Sequence, residues 1–199
     1  MIAVISDSHV PNRAPEIPKK IIEKIEGAEL VVHCGDLATQ KVYQELEQFN
    51  ENLIVVKGNC DFFDLPSSET FDREGVKFGV YHGTGIAPRG DHETLLDIAR
   101  NKLEANILLH GHTHQEEIFR EDDALLLNPG SCTGVGGGCA HPSEPTMIEI
   151  GIKDELEIKL LKLEEEKLSS RIRNLFFLGK KRKQSFSGHS CSTALRNPF

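Results

Sequence analysis

The sequence predicts an α/β domain, with α+β character in its second half, from three observations. Apolar runs and helical periodicities alternate along the first 60 residues, which is the pattern of a parallel sheet covered by helices. The second half repeats this theme less regularly and adds several short strands. Hydrophobic residues make up 38% and charged residues 27% of the 199 residues, a composition typical of globular proteins with a packed core.

In the first half, short apolar runs predict strands, and apolar residues at helical spacing predict helices. The predicted strands are 2–6, 30–34 and 53–56, and the predicted helices are 17–25 and 39–49. Gly27 is the expected stop signal of the first helix, and Thr39 is the expected N-cap of the second. The resulting order is strand, helix, strand, helix, strand.

In the second half, the pattern predicts a strand over 76–81, a helix over 91–103 with Asp91 as its N-cap, and a buried strand over 107–109. Shorter strands, expected to be antiparallel, follow at 117–120, 124–127, 146–150 and 155–161. Residues 130–145 are rich in Gly, Ser and Pro and are expected to form a loop, as are residues 61–72.

Charge divides the chain into two unequal parts. There are 31 acidic residues against 23 lysines and arginines, for a net charge of −8, and every acidic residue lies within residues 1–166. We therefore predict a domain over 1–163 and a basic C-terminal extension over 164–199 that is partly helical or disordered. A helical stripe is predicted for its start, at Leu168, Ile172, Leu175 and Phe176.

Several classes of protein are not expected. The apolar runs are too short to span a bilayer, and Asp7 interrupts the first run too early for a signal peptide. The five cysteines contain no CxxC pair, which disfavours a zinc knuckle and a disulfide framework. The expected compartment is the reducing cytoplasm.

Metal-type donor side chains follow five of the predicted strands in turn. The donors, in chain order, are Asp7, His9, Asp36, Asn59, His82, His112 and His114. Each motif alone also fits an ordinary turn, but five in succession after strands do not. Sites in open α/β sheets form outside the carboxyl ends of the strands, so these side chains are expected to meet at one edge.

The donor types indicate a divalent transition metal. A mixed set of imidazole and oxygen ligands without thiolate suits manganese, iron, zinc, nickel or cobalt, of which manganese is the expected ion. Seven donors exceed the needs of one tetrahedral ion. They match a pair of ions if one carboxylate bridges the two.

The motifs resemble those of the calcineurin-like metallophosphoesterase superfamily and, within it, the small YfcE-type phosphodiesterases. The resemblance covers residues 1–163 and is carried by Asp7-x-His9, Gly35-Asp36, Gly58-Asn59, His82-Gly83, Gly111-His112-x-His114 and Asn128-Pro129-Gly130-Ser131. It implies two facing β-sheets flanked by helices, a four-layer αββα sandwich with a metal pair at one edge.

The resemblance also implies a role for each donor. One ion would be held by Asp7, His9, Asp36 and His114, and the other by Asp36, Asn59, His82 and His112. Asp36, Asn59 and His82 would take part in catalysis, with Asp36 bridging the ions. A water or hydroxide between two divalent metals would attack a small phosphodiester.

Two residues depart from the pattern of the superfamily. Cys60 stands where many members have a histidine that protonates the leaving group, which favours substrates with good leaving groups. Thr84 replaces the second histidine of the His-Gly-His that close relatives carry. A secondary contact is therefore expected to be lost, while His82 remains.

Two other functions stay open at this point. The same superfamily includes a retromer subunit that uses the fold to bind proteins, so a non-catalytic, metal-binding scaffold is one alternative. A nuclease that uses the basic tail is the other, although the acidic body argues against a long polyanion. The expected partner is a small phosphoester, nucleic acid and membranes are not expected, and a homo-oligomer is left open.

Overall fold

The protein is described here as a computed structural model that covers residues 1–138, 141–164 and 167–175. The strands are β1 (Ile2–Ile5), β2 (Leu30–His33), β3 (Leu53–Val55), β4 (Ser68–Arg73), β5 (Val76–Tyr81), β6 (Ile107–Leu109), β7 (Glu116–Glu121), β8 (Ala124–Pro129), β9 (Thr146–Ile152), β10 (Leu156–Glu164) and β11 (Lys167–Leu175). The helices are α1 (Lys19–Glu26), α2 (Gln40–Phe49) and α3 (His92–Asp97), the last continued by a π-helical segment at Ile98–Lys102.

The strands form two mixed sheets. The first has six strands in the order β11-β10-β9-β1-β2-β3, and the second has five in the order β4-β5-β6-β8-β7. In the first sheet β1, β2 and β3 are parallel, and in the second β5, β6 and β8 are parallel. Strand β1 is buried on both faces of its sheet, as is typical of parallel strands in a sheet covered by helices. This burial explains its uninterrupted apolar run.

The core consists of three apolar layers that alternate with the sheets. Val4, from the first sheet, and Phe78, from the second, belong to the layer between the two sheets. Ala3 and Ile5 point to the opposite face of β1, where they pack with Ile21 of α1 and other apolar side chains of α1 and α2. The α3 segment covers the outer face of the second sheet. The predicted four-layer sandwich is therefore confirmed.

The sequence located most elements to within a few residues. The strands predicted at 76–81 and 107–109 match β5 and β6. Asp91 caps α3 by accepting a hydrogen bond from the Thr94 amide at 2.9 Å. Thr39 occupies the N-cap position of α2 without capping it, because its hydroxyl donates instead to the Val10 carbonyl at 3.3 Å.

The prediction that residues 61–72 form a loop is wrong in its second half. Ser68–Arg73 forms β4, an edge strand that pairs antiparallel with β5. Its one large apolar residue, Phe71, stacks on Phe78 with the ring centroids 4.8 Å apart. An edge strand with a single inward aromatic lacks the apolar alternation that would have revealed it.

The prediction of a helix at the start of the extension is also wrong. Lys167–Leu175 forms β11, which pairs antiparallel with β10 at the edge of the first sheet. Leu168 is half-buried against the helix-side core, whereas Ile172 is exposed. A spacing of four residues is even, so these two residues share a face in a strand as well as in a helix. Phe176 and the basic run 180–183 lie outside the described residues, and the boundary after residue 163 stays a prediction.

The antiparallel prediction for the short strands holds for β7, β9 and β10 but not fully for β8. Strand β8 is antiparallel to β7 and parallel to β6, which places it inside the second sheet. None of the helices in the described part of the chain has the length and apolar character that a bilayer crossing needs.

Candidate metal centre

The loops that leave the parallel strands of both sheets converge at one edge of the sandwich. Asp7, His9, Asp36 and His114 are all buried, and each offers a ligand atom within 4.8 Å of the others. These residues follow β1, β2 and β6, so the cluster joins loops from two sheets. They are the four residues that the resemblance assigns to one ion.

The ligand atoms of these side chains lie close together. The Nε2 atoms of His9 and His114 are 3.3 Å apart, and Nε2 of His114 is 3.3 Å from Oδ1 of Asp7. Oδ2 of Asp36 is 3.4 Å from Nε2 of His9 and 3.5 Å from Nε2 of His82. The Asp36 carboxylate therefore lies between an imidazole of each predicted ion group.

Backbone carbonyls fix the tautomers of two histidines. Nδ1 of His82 lies 2.7 Å from the Cys34 carbonyl, and Nδ1 of His114 lies 2.7 Å from the Val135 carbonyl. A carbonyl only accepts, so each Nδ1 carries the proton and donates. The lone pair of each ring is then on Nε2 and points into the cluster, which is the arrangement that a metal-ligating imidazole requires.

Two buried atoms of the cluster lack a partner. Among the described residues, neither Oδ1 of Asp7 nor Nε2 of His82 has a hydrogen bond, although both side chains are fully buried. Buried polar atoms without partners are rare, and each needs an explanation such as an ion or a water. The donor types and these two orphaned atoms fit a divalent cation.

The electrostatics of the cluster favour added positive charge. Burial opposes a charge on His82, but the Asp36 and Asp7 carboxylates outweigh it and raise its pKa. Burial by itself would raise the pKa of Asp36. The neighbouring His82 and His9 rings nevertheless hold that pKa well below its usual value. Burial raises the pKa of Asp7. Burial also lowers the pKa of His9 and of His112 to about 4, so both rings are neutral at pH 7 and free to ligate.

Five of the seven predicted donors have left-handed backbone angles. These residues are Asp7 (φ 52°), His9 (φ 48°), Asp36 (φ 60°), His112 (φ 70°) and His114 (φ 61°). This region costs a non-glycine residue about 1–2 kcal/mol. Clustered strain of this kind occurs at functional sites, where the surrounding structure holds the chain in place. Most of the donors therefore make the sharp turns at the strand ends themselves.

Two of the seven predicted donors, His112 and Asn59, lie at the rim of the cluster. His112 is half-buried, and its ring is 5.0 Å from that of His82 between centroids. Asn59 is exposed, and its Nδ2 donates to the Cys60 thiol at 3.2 Å, so its amide is not drawn into the buried cluster. The Cys60 amide donates to Oδ1 of Asp36 at 2.7 Å, which brings this loop to the cluster.

Two buried residues outside the predicted donor set, Asn128 and His33, hold the donor loops in place. Asn128 donates to the Gly111 carbonyl at 2.9 Å and to the Thr113 hydroxyl at 3.0 Å, and thereby braces the loop that carries His112 and His114. Its position in an Asn-Pro-Gly turn was the available signal. His33 uses the opposite tautomer to His82, because its Nδ1 accepts from the Gly35 amide and its Nε2 donates to Ser8.

His33 should make the stability of the metal-free protein depend on pH. Burial lowers the pKa of His33 to about 3, whereas an exposed histidine has a pKa near 6.5. Between these values the unfolded chain binds a proton that the folded protein excludes, so stability falls as the pH drops through this window. Between pH 7 and pH 5 this loss is about 2 kcal/mol.

The variant His33→Asn keeps an acceptor for the Gly35 amide but cannot be protonated. Urea unfolding at pH 7 and pH 5 should therefore show a smaller loss of stability for this variant than for the parent protein. An equal loss in both proteins would show that His33 does not produce the pH dependence.

The chain is similar in sequence to known proteins. A family model described as the calcineurin-like phosphoesterase superfamily domain matches residues 1–155. A probable metallophosphoesterase of Methanocaldococcus jannaschii is 35% identical over 167 residues, which cover 83% of this chain and 82% of that protein. A phosphodiesterase of the same organism is 33% identical over 150 residues, or 67% of this chain and 84% of that protein.

Solved structures of Vps29 from Entamoeba histolytica share the fold. A single mutant of that protein superposes with a TM-score of 0.79 at 29% identity and covers 87% of this chain and 98% of its own. The wild-type protein in complex with zinc gives a TM-score of 0.78 at 29% identity, with the same coverage of 87% and 98%.

Proposed function

The chain belongs to the calcineurin-like phosphoesterase superfamily, and on this premise we propose that it is a metal-dependent phosphodiesterase acting on small phosphodiesters. The carrying observation is the buried cluster of Asp7, His9, Asp36 and His114, beside which His82 presents a lone pair fixed by a backbone carbonyl. A related archaeal protein named as a phosphodiesterase supports the choice of substrate class.

The proposed ligands fall into two overlapping sets. Asp7, His9, Asp36 and His114 would hold one divalent ion, and Asp36, Asn59, His82 and His112 would hold the other. The position of Asp36 Oδ2, within 3.5 Å of both His9 and His82, supports its assignment to both sets. When bound, such a pair of cations neutralises phosphate oxygens and lowers the pKa of a water.

Residues at the rim would bind and orient the phosphodiester. Asn59 and His112 are the accessible members of the donor set, so they lie on the side from which substrate arrives. Arg89 contacts the His112 carbonyl through Nη1 at 3.5 Å and brings a cation to the same side. A guanidinium there suits an anionic phosphate oxygen.

Cys60 limits the help that the protein gives to the leaving group. Burial, reinforced by the Asp36 carboxylate, raises the pKa of the Cys60 thiol to about 11. The thiol stays protonated at neutral pH and is too weak an acid to replace an imidazolium. Substrates whose leaving groups depart as stable anions should therefore react fastest.

The acidic body favours small substrates over nucleic acid. All 31 acidic residues precede residue 167, and their combined field would repel a long polyanion. The basic run on which a nuclease would depend lies outside the described residues. A small diester presents only one or two negative charges and is repelled far less.

Adding manganese to the metal-free protein should raise its melting temperature. The ions relieve the repulsion between buried carboxylates and bind the folded state only, so stabilisation follows ligand linkage. At a free concentration of 100 times Kd the gain is about 2.7 kcal/mol. For a domain of this size that gain corresponds to roughly 5–10 °C.

A thermal melt of protein treated with EDTA, with and without MnCl2, measures this shift. Magnesium at the same concentration is the control, because a site rich in imidazole should prefer manganese. An unchanged melting temperature across manganese, zinc, nickel and cobalt would contradict a metal centre.

The function is tested by hydrolysis of bis(p-nitrophenyl) phosphate with added manganese, alongside metal analysis of the purified protein. Turnover that EDTA abolishes and manganese restores is the expected result. The likeness to Vps29, together with the absence of a histidine at Cys60, favours a binding scaffold as the second candidate. Bound ions without turnover in any of these metals would reject the hydrolase and support the scaffold.

A further inference from the structure

Asp61 is a buried carboxylate that does not belong to the proposed ligand set. Its side chain is only 2% exposed. Oδ2 accepts from the amides of Asp36 and Gly58, both at 2.8 Å, and Oδ1 accepts from the amide of Ala38 at 2.9 Å. One side chain thus ties the loop after β2 to the loop after β3.

The loop that Asp61 holds has an unfavourable backbone. Asp36 has φ 60° and Ala38 has φ 80°, both in the region that favours glycine. The backbone amides of both residues donate hydrogen bonds to the Asp61 carboxylate. Charge-assisted hydrogen bonds to a buried carboxylate are stronger than neutral ones and can offset such strain.

The geometry points to Asp61 as a positioning residue for the metal pair. By fixing the backbone of Asp36, it holds the shared carboxylate between His9 and His82. It also holds the loop of Asn59 and Cys60 against that carboxylate, through the Gly58 amide. This inference depends on the proposed function only in that the cluster binds divalent ions.

The variant Asp61→Asn tests the inference. An asparagine has one acceptor oxygen, so at least one of the three amides would face an amino group instead of a carboxylate oxygen. Loss of a residue that orients a ligand costs about 10–100-fold in metal affinity. We expect this loss in Mn²⁺ binding measured by titration calorimetry, together with a lower kcat at saturating metal and a smaller change in KM.

Asp64→Asn is the matched control, because Asp64 is exposed in the same loop and the substitution removes the same charge. It should leave Mn²⁺ affinity and turnover unchanged. If Asp61→Asn also retained the Mn²⁺ affinity of the parent protein, the positioning role would be rejected.

A second substitution separates positioning from simple loss of negative charge. Ala38→Gly removes the steric cost of a positive φ, so the loop depends less on Asp61 for its shape. In the Asp61→Asn background it should restore part of the Mn²⁺ affinity, although the charge remains absent. No recovery in the double variant would assign the effect to charge and overturn the inference.

Folding is monitored by circular dichroism in every variant. If Asp61→Asn alone does not fold, the double variant is compared with Ala38→Gly. Ala38→Gly relieves the strain at residue 38 only, and the Asp36 and Gly58 amides still lose the carboxylate, so the double variant should bind Mn²⁺ more weakly than Ala38→Gly. Equal Mn²⁺ affinity in that pair rejects the inference. Failure of the proposed function is a separate result, because the parent protein would then bind no Mn²⁺ or would bind it without turnover.

Discussion

Asp36→Asn is expected to reduce phosphodiester hydrolysis and metal content together. Among the residues that the structure describes, Asp36 alone has a carboxylate within 3.5 Å of imidazoles from both proposed ion groups, so its loss should weaken the binding of both ions. Removing a residue that only orients a metal ligand lowers metal affinity or activity about 10–100-fold, so removing a shared ligand should lower them at least about 100-fold. The measurements are kcat/KM for bis(p-nitrophenyl) phosphate and the number of ions per chain.

This substitution should leave the metal-free fold intact. The amide oxygen of asparagine can still accept from the Cys60 amide, as Oδ1 of Asp36 does at 2.7 Å. Removing the charge relieves repulsion with Asp7, whose pKa the Asp36 carboxylate helps to raise. It also removes the favourable interactions with His82 and His9 that hold the pKa of Asp36 well below its usual value, so the melting temperature without metal should fall. The rise in melting temperature on adding manganese should disappear. Two bound ions with full turnover would refute the bridging assignment.

Gly58→Ala is expected to disrupt the same site through the backbone. A Cβ at this position would lie 2.1 Å from Oδ1 of Asp36 and 2.3 Å from its amide nitrogen. A carbon atom does not approach an oxygen or nitrogen atom this closely, so the loops after β2 and β3 must move apart. We expect a stability loss of about 1–3 kcal/mol, as for overpacking, together with loss of metal binding.

Gly151→Ala is the matched control for this prediction. A Cβ there would meet only the Glu157 Cβ at 3.8 Å, an ordinary contact. Urea unfolding and metal analysis of the two variants should differ clearly, with Gly151→Ala close to the parent protein. Normal stability and metal content in Gly58→Ala would show that the two loops adapt without loss of the site.

The sequence was most informative where a signal is local. The apolar runs of β1, β5 and β6 and the Asp91 cap each depend on residues within a few positions, so the pattern located them well. The errors came from elements that depend on a partner. Strand β4 exists because it pairs with β5, and β11 exists because it pairs with β10.

The donor set shows the same division. The position of the Asp, Asn and His residues directly after successive strands predicted that they meet, because the carboxyl ends of parallel strands lie at one edge of a sheet. Asp61 stands in the same motif as Asn59. Nothing in the local pattern showed that its carboxylate accepts hydrogen bonds from three backbone amides in two loops.

By itself, the sequence determined the order in which Asp, Asn and His side chains follow the strands. Only the tertiary structure decided which atoms of those side chains face one another. The lone pairs of His82 and His114 are directed by the carbonyls of Cys34 and Val135, which lie 48 and 21 positions away along the chain. The left-handed angles of Asp7, His9 and Asp36 are held by hydrogen bonds between loops, in which their amides donate to the Gly35 carbonyl, the Asp36 carbonyl and the Asp61 carboxylate. A ligand's direction is a property of the contacts that hold it, and those contacts form only when distant segments fold together.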